Sequence, residues 1–200
     1  MDPESLLDVW FADAGKGAEA IAARSRLWFS RDEAFDALLR ERFHALPDRA
    51  RDGELAAWRV APRSALALVI ALDQLPRNLF RDSARAFAYD DAALEVALDA
   101  LERGFDARLH SVEATFLYLP LEHAEDRALQ ARCVALFRAL RDRAAPEVAE
   151  HFDRFLSFAE RHHAVVERFG RFPHRNRVLG RRSTPEEERY LASGGDTFGG

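Results

Sequence analysis

The 200-residue chain has one cysteine, one methionine, ten glycines and eight prolines, and Lys16 is the only lysine among 29 basic residues. Each scarcity excludes something. A lone Cys133 cannot close an internal disulfide, and it falls in an apolar helical pattern with Leu136, Phe137 and Leu140. That pattern predicts a buried, inert thiol and a cytoplasmic setting. The longest apolar run, Ala65 to Leu72, spans eight residues, well short of the roughly 20 that a membrane helix needs. The opening Met1-Asp2-Pro3-Glu4 lacks the cationic start and apolar run of a secretory signal, so neither secretion nor membrane insertion is expected. Sparse Gly and Pro exclude collagenous or low-complexity sequence, and the lack of alternating β-branched runs argues against a sheet. With almost no lysine, essentially every cation is a guanidinium, permanently charged and able to grip an oxyanion with two N–H groups.

What remains is 48% hydrophobic and 32% charged, with a formal net charge of −5. That suits a globular unit with a sizeable core, and the net acidity argues against a general nucleic-acid binder. Helical spacing recurs almost everywhere, so the chain reads as all-α. Asp2 and Pro3 predict a capped helix with Leu6, Leu7, Trp10 and Phe11 on one face. A weaker helix is expected over 18–29, and Ser30 with Glu33 has capping-box spacing for the next, stopped or kinked at Pro47. Pro62 opens the most apolar helix, expected to stop near Pro76. Asp90 or Asp91 caps a helix with a Leu94, Leu98, Leu101 stripe that ends at Gly104. Further helices are read over 110–119, interrupted by Pro120, then 124–144, stopped by Pro146, and 147–170, ending at Gly170. Thr184, Pro185 and Glu187 cap a last short one. Six to eight helices with short connections predict antiparallel pairs in one domain over 1–192, followed by a glycine-rich, frayed tail over 193–200.

Three segments carry polar residues that folding alone does not require. In Asp73-Gln74-Leu75-Pro76-Arg77-Asn78, followed by Arg81, two arginines four positions apart share a helical face. In Pro120-Leu121-Glu122-His123-Ala124-Glu125-Asp126, His123 is expected near the N-cap of the following helix, where it could serve as ligand, acid or base. His123 and Asp126 are also conceivable metal ligands, but with no HExxH or Cys/His pair no metal ligand is assigned and no cofactor motif is present. The third segment begins at His162-His163, where helical phase turns His162 toward the core side. From Arg171 to Arg182 it then has five arginines and His174 without a single carboxylate. Arg171, His174, Arg175 and Asn176 offer four oxyanion donors within six positions, in a turn fixed by Gly170 and Pro173.

These strings, together with Phe169-Gly170-Arg171-Phe172-Pro173-His174-Arg175-Asn176, Leu179-Gly180-Arg181, Val9-Trp10-Phe11 and Trp28-Phe29, resemble the bacterial family catalogued as domain of unknown function 924. The resemblance spans nearly the whole chain. It implies antiparallel helical pairs stacked as a tetratricopeptide-like α/α superhelix, and it implies no established activity. The family pattern includes Arg77, Asn78, His123, Glu125, His162, Arg171, His174, Arg175 and Asn176.

The polar segments each follow a long apolar helix, which predicts that helix ends meet at one cleft. There Arg77, Asn78, Arg81, Arg171, His174, Arg175, Asn176 and Arg181 would bind an anionic small molecule bearing phosphate or carboxylate. His123 or His162 would move protons, and Glu125 would orient the histidine. The alternatives are a helical scaffold that reads an acidic peptide or protein partner, nucleic-acid binding through the short cationic run, and a purely structural network that fixes helix ends.

Overall fold

The computed structural model describes residues 2–198. Among them there are ten α-helices and no strand. The helices are α1 (Pro3–Phe11), α2 (Ala18–Phe29), α3 (Glu33–Phe43), α4 (Leu46–Arg51), α5 (Pro62–Leu79), α6 (Asp90–Glu102), α7 (Ser111–His123), α8 (Arg127–Asp142), α9 (Ala149–Phe169) and α10 (Pro185–Ala192). None of the described helices is long and apolar enough to cross a membrane.

The caps explain most boundaries. The Asp2 carboxylate accepts the Glu4 N–H, and Thr184 and Glu187 form the capping box that starts α10. Gly170 closes α9 in the left-handed conformation at φ 71°, a region a Cβ disfavours. Elsewhere the boundaries differ from the sequence reading. Asp32, not Ser30, caps α3, because its carboxylate accepts the Phe35 N–H at 2.8 Å while Ser30 terminates α2. Pro47 sits in the first turn of α4, where its missing N–H has no helical partner to lose. The buried stripe of α6 is Ala93, Val96, Ala97 and Ala100, small residues that let it close on α5 while Leu94, Leu98 and Leu101 flank the contact.

The largest departure concerns the prolines. Pro76 and Pro120 do not stop their helices; α5 runs on to Leu79 and α7 to His123. Each proline removes one backbone hydrogen bond, yet both lie in the core among buried neighbours, so the packing of the whole turn outweighs the lost bond. Arg77 adds a side-chain bond to the Asp73 carbonyl at 2.7 Å. At the end of α7 the buried Gln130 amide donates to the carbonyls of Glu122 at 2.5 Å and Ala124 at 2.8 Å, which have no helical partner.

Helix α5 is the central element and packs against α1, α3, α4, α6 and α7, which is why it is apolar nearly all round. Consecutive helices from α5 to α9 pack on one another, and α2 reaches across to α9. An aromatic cluster of Trp10, Phe11 and Trp28 around Phe116 ties the N-terminal helices to α7. Arg24 and the Trp28 indole N–H donate to the Trp10 carbonyl at 2.6 and 2.8 Å, capping α1 with side chains of α2. Cys133 is buried, and that burial pushes its thiol well above its ordinary pKa, which leaves it inert.

Candidate functional site

A cleft of about 830 Å³ opens where the end of α2, the last turns of α5 and α7, the middle of α9 and the loop after Phe172 come together. Of the residues singled out in the sequence, Arg77, Asn78, Arg81, His123, His162, His174 and Arg175 line it. Because α5 and α7 continue through their prolines, Arg77, Asn78 and His123 lie on helices and not in turns. His123 is thus the last residue of α7, not a cap of α8, whose N-cap is Asp126.

The core of the site is a chain of contacts between α5 and α7. His123 Nδ1 lies 2.8 Å from Asp73 Oδ1. The same oxygen is 3.3 Å from Arg77 Nη1, and Asp73 Oδ2 accepts from Gln74 at 2.6 Å. Asp73 is wholly buried, which alone would raise its carboxyl; the charge of Arg77 and the hydrogen bonds from His123 and Gln74 outweigh burial and hold it below the usual carboxylate range. An ionised carboxylate only accepts, so the His123 Nδ1 carries the proton and Nε2 is left as a free base. Burial and the neighbouring Arg77 lower the His123 pKa, keeping the ring neutral at pH 7.

Across the cleft His162 is buried on α9, as its helical phase predicts, with Nδ1 2.8 Å from the Phe158 carbonyl and its ring centroid 6.2 Å from that of His123. Burial, with His123 next, lowers its pKa well below the ordinary value. Glu122 Oε1 approaches His162 Nδ1 at 3.3 Å, while Oε2 is buried without a partner. Burial and the Asp73 charge push this carboxyl up to about 8, so at neutral pH it is an acid facing a neutral imidazole. The site therefore holds two groups whose environments drive their proton affinities apart, as acid–base sites require.

Arg77 donates to both oxygens of Asp90 at 2.9 and 3.0 Å. Arg175 lies between the Phe87 and Phe172 rings, 4.8 and 4.4 Å from their centroids, and donates to the His123 carbonyl at 3.1 Å. Its Nε is buried with no partner, as is His174 Nδ1. Burial and then Arg77 lower Arg175 to about 10, and burial and then Arg175 lower His174 to about 4, so the first stays charged and the second neutral. Arg81 forms a bidentate pair with Asp36 at 2.6 and 3.0 Å, and Asn78 donates to the same carboxylate at 2.8 Å.

The other candidates lie elsewhere. Glu125 does not orient His123: its oxygens accept the Phe172 N–H at 2.7 Å and two Arg181 N–H groups at 2.5 and 2.9 Å, because the three-residue α7–α8 connection turns it toward the loop after α9. Asp73 holds the position next to the histidine. Arg171 pairs with Glu187 at 2.6 and 2.8 Å, and Asn176 bonds Ser183, Glu187 and Arg181. Two of the five arginines in the carboxylate-free stretch are thus paired, Arg181 by Glu125 from one side and Arg171 by Glu187 from α10 on the other. Asp73 and Glu122 sit inside strings visible in the sequence, but nothing in linear spacing marks them as partners of His123 and His162. Among the described residues no group of three or more His, Cys, Asp or Glu is placed to hold a metal ion.

Fold and cleft together define an all-helical protein with a buried carboxylate–histidine pair beside a mixed polar and aromatic cleft. The chain belongs to a family described as bacterial protein of unknown function (DUF924), whose pattern matches residues 6–195. It is similar to the solved structure of the protein of unknown function ATU0120 from Agrobacterium tumefaciens, with 38% identity and a TM-score of 0.80 over 96% of this chain and 97% of that one. A comparison with curated proteins finds no match.

Proposed function

We propose that the chain binds a small molecule bearing phosphate or carboxylate in this cleft, and that His123 and Glu122 exchange a proton with it. The observation that carries the reading is Arg175, which is 6% exposed, lines the cleft and leaves its Nε without an acceptor. An unmet buried donor costs about 1–3 kcal/mol, and a ligand oxyanion supplies the missing acceptor. Asp73 and Asp90 already balance Arg77 and Arg175 in charge, and His123, His162 and His174 are neutral at pH 7. An arriving anion therefore draws protons onto those histidines, and affinity rises as pH falls. Glu122, protonated at neutral pH, is the donor, and His123, with its Nδ1–H held by Asp73, is the acceptor.

The test is a thermal-shift titration at pH 6 and pH 8 with inorganic phosphate, pyrophosphate and citrate. At least one anion raises Tm, more at pH 6 than at pH 8; Arg175→Leu loses the rise and Arg171→Leu keeps it. No shift with any of them, or an equal shift in folded Arg175→Leu, overturns the reading. For Arg171, Arg181, Asn176 and Glu125 a structural role is the better reading, because their charged and amide groups are paired with one another or with Glu187.

A further inference from the structure

We infer that the ligand of this cleft carries an aromatic ring that stacks on the imidazole of His162, in the place the Phe198 side chain occupies here; this rests on the anion-binding reading above and names its ligand class. Phe198 lies face to face with His162, ring centroids 3.5 Å apart and planes 21° from parallel, with Phe172 and His174 flanking it at 5.9 and 5.8 Å. The slot is therefore bounded by rings on several sides and closed at its back by a buried histidine.

Beyond those rings, Phe198 packs against the cluster of Val165, Val166 and Phe172, with the Arg161 guanidinium carbon 5.7 Å from its ring centroid. Asp196 pairs with Arg161, and its N–H donates to the Tyr190 hydroxyl at 2.8 Å. Phe198 itself adopts φ 51°, a left-handed conformation disfavoured for a bulky side chain. At Gly195 the chain passes so close to Tyr190 that a Cβ would sit 2.5 Å from its ring.

A second observation points the same way. Phe29 and Phe158 line this cleft yet stay 46% and 45% exposed, leaving aromatic surface uncovered. An aliphatic anion would satisfy Arg175 and leave both the ring slot and this surface unused. A ring bearing an anionic group uses all three, and its entry displaces Phe198 and frees Arg161.

The experiment measures Kd by ligand-observed NMR for two matched pairs, phenyl phosphate against methyl phosphate and benzoate against acetate. In the wild-type chain the aromatic member of at least one pair binds about twofold to tenfold more tightly, the range expected for one ring stack. Phe198→Ala removes the internal competitor and tightens the aromatic probes further, leaving the aliphatic ones unchanged. Gly195→Ala, which forces residues 195–198 off Tyr190 by an independent route, has the same effect. Equal binding within both pairs overturns the ring inference and leaves the anion reading standing, whereas no binding by any probe overturns both. Unchanged or weaker aromatic binding in Phe198→Ala and Gly195→Ala overturns the claim that Phe198 holds the ligand's place.

Discussion

The bracket of Arg171, Arg181, Glu125 and Glu187 and the cleft-side cluster of Glu122, His123 and Arg175, with Asp73 behind it, use the same kinds of side chain in different ways. In the bracket each guanidinium meets a carboxylate with two N–H···O bonds, and Glu187 also accepts the Thr184 N–H at 2.7 Å. In the cleft Glu122 Oε2, His174 Nδ1 and Arg175 Nε are buried with no partner. A network whose groups are all met fixes a loop, whereas one with buried groups left over has room for a further hydrogen-bond partner. Arginine on its own therefore does not separate the two regions; the partnerless buried groups of the cleft do.

The comparison breaks most visibly at Asp73. Asp73→Ala strips the carboxylate from between His123 and Arg77, and loss of one partner of a buried charged pair costs about 3–5 kcal/mol, lowering Tm by roughly 10 °C in a thermal melt. Glu187→Ala breaks the bracket instead and costs about 2 kcal/mol by urea denaturation, with the cleft histidines titrating as before.

Glu122 sharpens the contrast through pH. Its folded pKa of about 8 lies above the ordinary value, so its contribution is complete at low pH and is lost as pH rises from about 4.5 through 8. Glu122→Gln removes that alkaline loss: relative to wild type the variant gains at least about 1 kcal/mol between pH 5 and pH 8. His174 has the opposite sign. With a folded pKa near 4, it costs stability as pH falls from about 6.5 toward 4, and His174→Gln flattens this acid limb by a smaller amount. At the bottom of the scale, Arg138→Ala breaks the exposed Arg138–Glu160 pair and leaves the melting curve unchanged.

Much of this arrangement is legible in the sequence, for identifiable reasons. Caps at Asp2 and Thr184, Pro62 at a helix start and glycines at positions 104 and 170 act locally, so linear spacing reveals them. The inward turn of His162 follows from helical phase. Pro76 and Pro120 mislead because their cost is local while the packing that offsets it comes from the whole core. Arg77, His123, His162 and Arg175 line one cleft. Arg77 and His123 come from the ends of α5 and α7 and Arg175 from the loop after α9, as meeting helix ends would place them, while His162 enters from the middle of α9. Which carboxylate serves His123 is not legible in the sequence: Asp73 is fifty positions away on another helix, and the nearby Glu125 turns to Arg181. Phe198 had no signal at all, since a single aromatic after Gly194-Gly195 carries no periodicity.

The central claim is that Asp73 holds His123 as a neutral base with Nε2 free toward the cleft. Long-range ¹H–¹⁵N NMR of the imidazole nitrogens, followed from pH 8 to pH 5, tests it directly. The account predicts a protonated Nδ1, an unprotonated Nε2 at pH 7 and a midpoint below 6.5, with the tautomer preference lost in Asp73→Asn. An Nε2–H tautomer, or a His123 already charged at pH 7, would contradict it.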